Sequence, residues 1–337
     1  VPAPMIDLRS DTVTKPDDRM RAAMAAAEVG DDVLDHDPTM AKLEETVAGL
    51  LGVEAALWVP SGSMGNVIAL MLHVKRGDRF LAPALSHVIS SELGAGAWLA
   101  EGMPDPLPWD GGPGRPKPET LRTAIGGPQP YFNLNTTLLC LENTHNAAGG
   151  TVTPLEEYTQ LVAVAKEAGL TVHLDGARIW NASIALGLSP AELTVGADTV
   201  QVCLSKGLGA PVGSMVAGSA AFVTDARRVR KMLGGGVRQG GVLAAAGLVA
   251  LENIDSLAED HANARALAEG LTELGWVAAT PDTNIVVASV PDVDHAIAQL
   301  REVGVLGYPL PGHVRFVAHR GVSANDITEV LRRIEKG

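Results

Sequence analysis

From about residue 55 to residue 235, short apolar runs alternate with stretches whose apolar positions recur at helical spacing. Ala55–Val59, Phe80–Ala82, Thr137–Leu141, Thr171–Leu174 and Thr199–Leu204 read as strands. Ser61-Gly-Ser-Met-Gly-Asn66 leads from the first of these into an apolar helix. A further helix is predicted from Thr153 to Gly169, with Thr153 as its N-cap, Pro154 at its first position and Glu156 at its third. Leu155, Tyr158, Leu161, Val162 and Ala165 then share one face. Strand–helix–strand alternation predicts an α/β fold with a mainly parallel sheet, in which ligands sit beyond the carboxyl ends of the strands.

The pattern changes at Ile254. A long charged amphipathic helix, about Leu257–Leu274, is followed by the short strands Asn284–Ser289 and Val314–Ala318 and a final helix, which predicts a smaller α+β domain. The expected division is an N-terminal arm over 1–16, a large domain over 17–240 and a small domain over 241–337, with the Gly-rich stretch Gly234–Gly241 and the helix after it as linker.

Composition narrows the function. Apolar residues make up 46% of the 337 and charged residues 19%, which suits a folded chain. The net charge of −13 argues against nucleic acid or an anionic membrane as partner, and leaves room for a locally positive pocket. No run approaches the roughly 18 apolar residues of a membrane helix. The opening Val-Pro-Ala-Pro-Met lacks the features of a signal peptide, so a cytoplasmic enzyme is expected. Cys140 and Cys203 lie in apolar runs and are expected to be buried thiols; no metal site is expected.

Candidate chemistry gathers at strand ends. Lys206, flanked by Ser205 and Gly207, follows the run Val-Gln-Val-Cys-Leu, where a partly desolvated amine can attack an aldehyde. Asp175 ends His173-Leu-Asp-Gly-Ala-Arg178 and shares a strand face with His173. A carboxylate there can pair with a protonated pyridine nitrogen and keep pyridoxal phosphate (PLP) a strong electron sink. Arg178, three residues on, suits a carboxylate. Ser61, Gly62 and Ser63 open a helix whose N–H groups favour a phosphate, although the spacing is neither GxGxxG nor a P-loop. His87 follows a strand and can lie against a cofactor ring. Each signal is weak alone; their order along one α/β domain is not.

The segments Ile6-Asp-Leu-Arg-Ser-Asp-Thr-Val-Thr14, Val29-Gly-Asp-Asp-Val33, Pro60–Asn66, Glu142-Asn-Thr-His-Asn146, His173–Arg178, Leu204–Gly207 and Lys231–Gly236 resemble, in order, those of the low-specificity L-threonine aldolases, PLP enzymes of fold type I. The resemblance implies a lyase that splits β-hydroxy-α-amino acids into glycine and an aldehyde. It implies Lys206 as Schiff-base lysine, Asp175 as pyridinium partner, His87 as stacking residue, and Gly62 and Ser63 as phosphate cradle. Ser10, Arg178 and Arg315 become a clamp for the amino-acid carboxylate, with His145 near the substrate. It further implies a homotetramer, a dimer of dimers, in which Lys231 and Arg238 reach a neighbour's phosphate. Two stretches depart from the family pattern: Leu34-Asp-His-Asp37 replaces Tyr-Gly-Glu-Asp, and Phe132 stands where relatives often carry a histidine, both near the substrate side chain. His87, a water held by His87, and His145 are all open as the base.

Two other readings share these residues: a β-eliminating lyase or aminotransferase on the same scaffold, and a silent PLP-binding protein. Intact Lys206, Asp175, His87 and Arg178 argue against the silent one, and a nicotinamide oxidoreductase lacks its strand–GxGxxG–helix element.

Overall fold

The computed structural model describes residues 5–127 and 130–336. Its strands are β1 (Ile6–Asp7), β2 (Ala55–Val59), β3 (Arg79–Pro83), β4 (Met103–Leu107), β5 (Thr136–Glu142), β6 (Thr171–Gly176), β7 (Thr199–Cys203), β8 (Ser214–Gly218), β9 (Val277–Ala278), β10 (Ile285–Ser289), β11 (Val305–Leu306), β12 (Tyr308–Leu310) and β13 (His313–Val317). Seven form one sheet in the order β2-β8-β7-β6-β5-β3-β4, and only β8 runs against its neighbours. β7 is buried along its whole length, as expected for a strand covered by helices on both faces. The mainly parallel sheet expected from the alternation is present, and the carboxyl ends of β2, β3, β5, β6 and β7 therefore open on one side.

Two strands of this sheet escape the sequence pattern for physical reasons. β4 reads Met-Pro-Asp-Pro-Leu; it is an edge strand, the one place where Pro104 and Pro106 can dispense with ladder donors. β8 is a short Ser-Met-Val-Ala-Gly run with little to set it apart from a loop. The helix expected from Thr153 begins at Leu155, with Pro154 as its N-cap and no side-chain capping bond. Thr153 is instead held by Asn143, whose Oδ1 accepts its backbone N–H at 3.2 Å.

A second sheet, β12-β13-β10-β9, carries the smaller hydrophobic cluster around Leu267, Leu271, Val286, Phe316 and Val330. The N-terminal arm belongs to this side: β1 pairs parallel with β11 and Leu8 is fully buried in that cluster. Helix Gly241–Leu251, assigned to the small domain by its position in the sequence, packs in the large cluster with Met40 and Leu43. Its small residues allow this, since a Cβ on Gly247 would stand 2.9 Å from Leu43. The chain passes between clusters along helix Leu257–Glu273, which places Leu257 in the first and Ala264, Leu267 and Leu271 in the second. No helix of the described residues is long and apolar enough to cross a membrane. Cys140 and Cys203 are free and buried.

Candidate active site

The strand ends converge on a cleft of about 500 Å³, counting space open to solvent. Ser61, Gly62, Ser63, Asn66, His87, Asp175, Ser205 and Lys206 are among its lining residues. Seven residues named from the sequence thus meet there, from four strand ends and one helix start.

Ser61 caps helix Gly62–His73, its Oγ accepting from the Met64 N–H at 3.2 Å. The N–H groups of Gly62 and Ser63 are left to face the cleft, a ready anion site. Glycine is required here by close approach: a Cβ on Gly62 would lie 3.0 Å from Cys203 Sγ and from Gln201 Nε2, and one on Gly65 2.7 Å from Gln201 Cγ. Lys206 follows β7 on a turn closed by the Gly209 N–H to its carbonyl, which also accepts from Thr14 Oγ1 at 2.9 Å. Among the described residues its amine has no hydrogen-bond or ion-pair partner.

Asp175 is buried and oriented by two donors, the Ala177 N–H to Oδ1 at 3.0 Å and Asn66 Nδ2 to Oδ2 at 2.8 Å. The orientation of Asn66 is set by the Glu92 and Asp175 carboxylates its amide faces, which turns its oxygen toward His173. Burial holds the His173 pKa down to about 4, so the ring is neutral. Asn66 can turn its oxygen to His173 Nε2 (3.0 Å) only if that nitrogen carries the hydrogen, leaving His173 Nδ1 to accept from Thr199 Oγ1 (2.9 Å). The two-residue period that put His173 and Asp175 on one strand face thus ends in a shared partner, Asn66.

His87 opens a four-residue helix, and its side chain is 31% exposed on the cleft. Its Nδ1 lies 2.7 Å from Glu92 Oε1, and its backbone N–H donates to Glu142 Oε2 at 2.7 Å. The Glu92 hydrogen bond raises the His87 pKa; burial opposes and the nearby Asp175 charge assists. His87, Glu92 and Asp175 offer three possible metal-ligand atoms within 4.8 Å of one another. The Asn66 amide lies 2.8 Å from both carboxylates, which suits a hydrogen-bonded frame without an ion.

The clamp residues lie together, with an unexpected member. Arg178 is buried, and its Nε and Nη2 each donate at 2.8 Å to the fully buried Asp11. Burial raises the Asp11 pKa, but the Arg178 guanidinium outweighs it and holds the carboxyl well below the usual range. Arg178 Nη1 (3.0 Å) and Arg315 Nη1 (3.3 Å) both donate to Asn146 Oδ1. Arg315 Nη2 donates to the Arg9 carbonyl beside Ser10, and its guanidinium lies 4.8 Å over the Tyr308 ring. The carboxylate that Arg178 grips is therefore the chain's own, and Arg315 is the less committed fork. Burial and the neighbouring Arg178 charge lower the Arg315 pKa, which remains a cation's.

Of the remaining residues named from the sequence, His145 stands apart from the cleft, while Lys231 and Arg238, expected against a neighbour's phosphate, lie off the cleft of their own chain. His145 is buried, edge-on to Trp109, with Nε2 3.4 Å from Ser86 Oγ, and does not line the cleft. Lys231 lines a separate basic hollow with Arg227, Arg230 and Val33, and Arg238 is exposed and pairs with Asp31. Asp11, Asn66, Glu92 and Asn146 were missed as individual site residues. Asp11, Asn66 and Asn146 lie inside the quoted segments; Glu92 carried no signal beyond its place five residues after His87.

In comparisons with known proteins, the beta-eliminating lyase family model matches residues 7–292. The probable low-specificity L-threonine aldolase 2 of Arabidopsis thaliana is 44% identical over 98% of this chain and 96% of its own length. The low specificity L-threonine aldolase of Escherichia coli (strain K12) is 41% identical over 97% of each. Among solved structures, the Leishmania major threonine aldolase superposes with a TM-score of 0.84 at 21% identity, over 98% of both chains. A serine palmitoyltransferase solved with its PLP internal aldimine superposes at 0.78 and 21% identity, over 98% of this chain and 87% of that one. At that identity the structural likeness speaks for the fold.

Proposed function

We propose a function for a chain that belongs to the beta-eliminating lyase family and, within it, to the low-specificity L-threonine aldolases. It uses PLP to cleave L-threonine and L-allo-threonine into glycine and acetaldehyde. The observation that carries the reading is the meeting of Lys206, Asp175, His87 and the Gly62–Ser63 N–H groups in one cleft, with Arg315 in the adjoining clamp.

When bound, PLP supplies an aldehyde that condenses with amines and a ring that accepts the electrons of a breaking Cα–Cβ bond. The protein supplies the rest. Lys206 offers the amine that holds the cofactor covalently. The helix start at Gly62 and Ser63, with Ser61 and Ser205 beside it, holds the phosphate. Asp175, already oriented by two donors, accepts from the ring N–H. Arg315 and Ser10 receive the substrate carboxylate while Asp11 and Asn146 brace Arg178 behind it. Of the groups weighed as base, His87 is the one that lines the cleft, and its Nδ1 contact leaves Nε2 for a hydroxyl or a bridging water. A carboxylate and an amine held at fixed points admit one enantiomer at Cα and constrain Cβ less.

The test is acetaldehyde release, coupled to an alcohol dehydrogenase, on all four threonine stereoisomers. Cleavage of both L-forms and neither D-form is expected. Ammonia and a 2-oxo acid in place of glycine and acetaldehyde would transfer the reading to β-elimination.

The assembly proposed is a homotetramer with shared sites. Lys231 and Arg238 lie off their own cleft, and Leu34, Tyr131, Phe132 and Met232 are 67–98% exposed, apolar surface available to a neighbour. Sedimentation at micromolar concentration should give a dimer or larger; a fully active monomer would refute sharing.

A further inference from the structure

Glu92 belongs to none of the segments quoted from the sequence, yet it is a buried carboxylate in contact with two residues of the cleft. Its side chain is 1% exposed. One oxygen, Oε1, meets both His87 Nδ1 at 2.7 Å and Asn66 Nδ2 at 2.8 Å, and the other, Oε2, is buried without a partner. A solvated surface glutamate after a short helix has no reason to be held this way, since burying a carboxylate costs free energy unless something is organised in return.

The contacts define what is organised. Asn66 gives one amide hydrogen to Glu92 and the other to Asp175, while its oxygen is held by His173. The residue that would stack on the cofactor and the residue that would meet its ring nitrogen are therefore joined through two intermediates, Glu92 and Asn66. With Nδ1 turned to Glu92, the His87 ring cannot rotate about its Cβ–Cγ bond without losing that bond, and Nε2 is presented to the cleft. The other charged groups facing this pair are Asp175 from β6, Lys206 after β7 and Glu142 from β5, the last bound to the His87 backbone; the Cys140 thiol also lies within electrostatic reach of Glu92.

We infer that Glu92 is a positioning residue for the reaction: through its contact with Nδ1 it fixes the His87 ring with Nε2 toward the substrate and holds a carboxylate against that ring. The inference rests on the PLP reading of the cleft. Burial pushes the Glu92 carboxyl up, and the hydrogen bonds from His87 and Asn66 act against that; the effect on His87 is upward.

The PLP-loaded protein tests it through Glu92→Gln and Glu92→Leu. Glutamine keeps an Oε1 acceptor for both partners and removes only the charge. The acid limb of kcat/KM for L-threonine should move to lower pH by about half to one unit. The pH midpoint of the resting cofactor's visible absorbance should fall with it, because a nearby anion no longer favours the protonated linkage to Lys206. Leucine removes the acceptor, and kcat should fall on the order of 10- to 100-fold. PLP affinity by fluorescence titration should stay within about threefold, a difference well under 1 kcal/mol, since phosphate cradle and Asp175 are untouched. Unmoved midpoints in the glutamine variant overturn the inference, whatever the leucine variant does. Unmodified protein with no PLP absorbance would instead overturn the reading of the cleft.

Discussion

Lys206→Ala is expected to abolish the covalent cofactor linkage and to lower turnover by on the order of 10³-fold or more, while PLP still binds non-covalently. The separation of these two effects follows from the geometry. The phosphate contacts come from the start of helix Gly62–His73 and the ring-nitrogen contact from β6, so neither depends on the lysine. Lys206 stands alone in the cleft as an amine: its carbonyl is tied to Thr14 and Gly209, but its Nζ has no partner among the described residues. Borohydride reduction followed by peptide mapping should therefore place a pyridoxyl adduct on Lys206 and bleach the visible band. Lys166 is paired with Asp198, and Lys231 lies in the separate basic hollow, so neither lines the cleft of its own chain. An adduct on either one, or a Lys206→Ala variant that still yields an adduct, would sink the assignment.

The parts of the site legible in the sequence share one property: they sit at the ends of strands with a strong apolar pattern. β6 and β7 are buried runs, so their length and direction could be read, and a polar residue following them had to emerge at the sheet's carboxyl edge. Lys206, Asp175 and Ser61–Ser63 were found that way. Pairings across long sequence distances were not legible. Asp11 and Arg178 are 167 residues apart, and nothing local in either segment requires the other. Glu92 lies beside the exposed Leu93 and Trp98, where no periodicity marks it as buried. The packing of the helix after the Gly-rich stretch was not legible for a related reason. The composition changes near Ile254, but packing is decided by shape, and the small residues of helix Gly241–Leu251 fit against Met40 and Leu43. His145 shows the converse: its segment is chemically suggestive, but its partners, Trp109 and Ser86, are set by the fold and carry no signal in the sequence.

Asp11→Ala should destabilise the protein by about 3–5 kcal/mol, because it strips the two-pronged partner from an arginine that stays buried. Arg178 is 4% exposed, and without Asp11 only the Asn146 contact of its Nη1 would remain. Asn284, which donates to Asp11 Oδ2 at 3.3 Å, would lose that acceptor as well. Asp11→Asn keeps the volume but not the charge, and should fall between the two. The pH dependence has a definite sign. The folded-state pKa of Asp11 is depressed, so its contribution is fully present above the unfolded value near 3.8 and is lost only as pH falls through the lower folded value. The stability gap between wild type and variant, from denaturant titration at one fixed protein concentration, should therefore be constant from pH 8 to pH 5. The same variant should raise KM for L-threonine more than it lowers PLP affinity, since Arg178 braces the Asn146–Arg315 side of the cleft and touches none of the proposed phosphate donors. A gap below about 0.5 kcal/mol, of the size seen for ordinary surface substitutions, would mean that the pair does not brace the clamp. A gap that opened between pH 8 and pH 5 would assign the lost stability to a titrating histidine, and the N-terminal arm would then reach the site only as a cover and not as the anchor of its arginine.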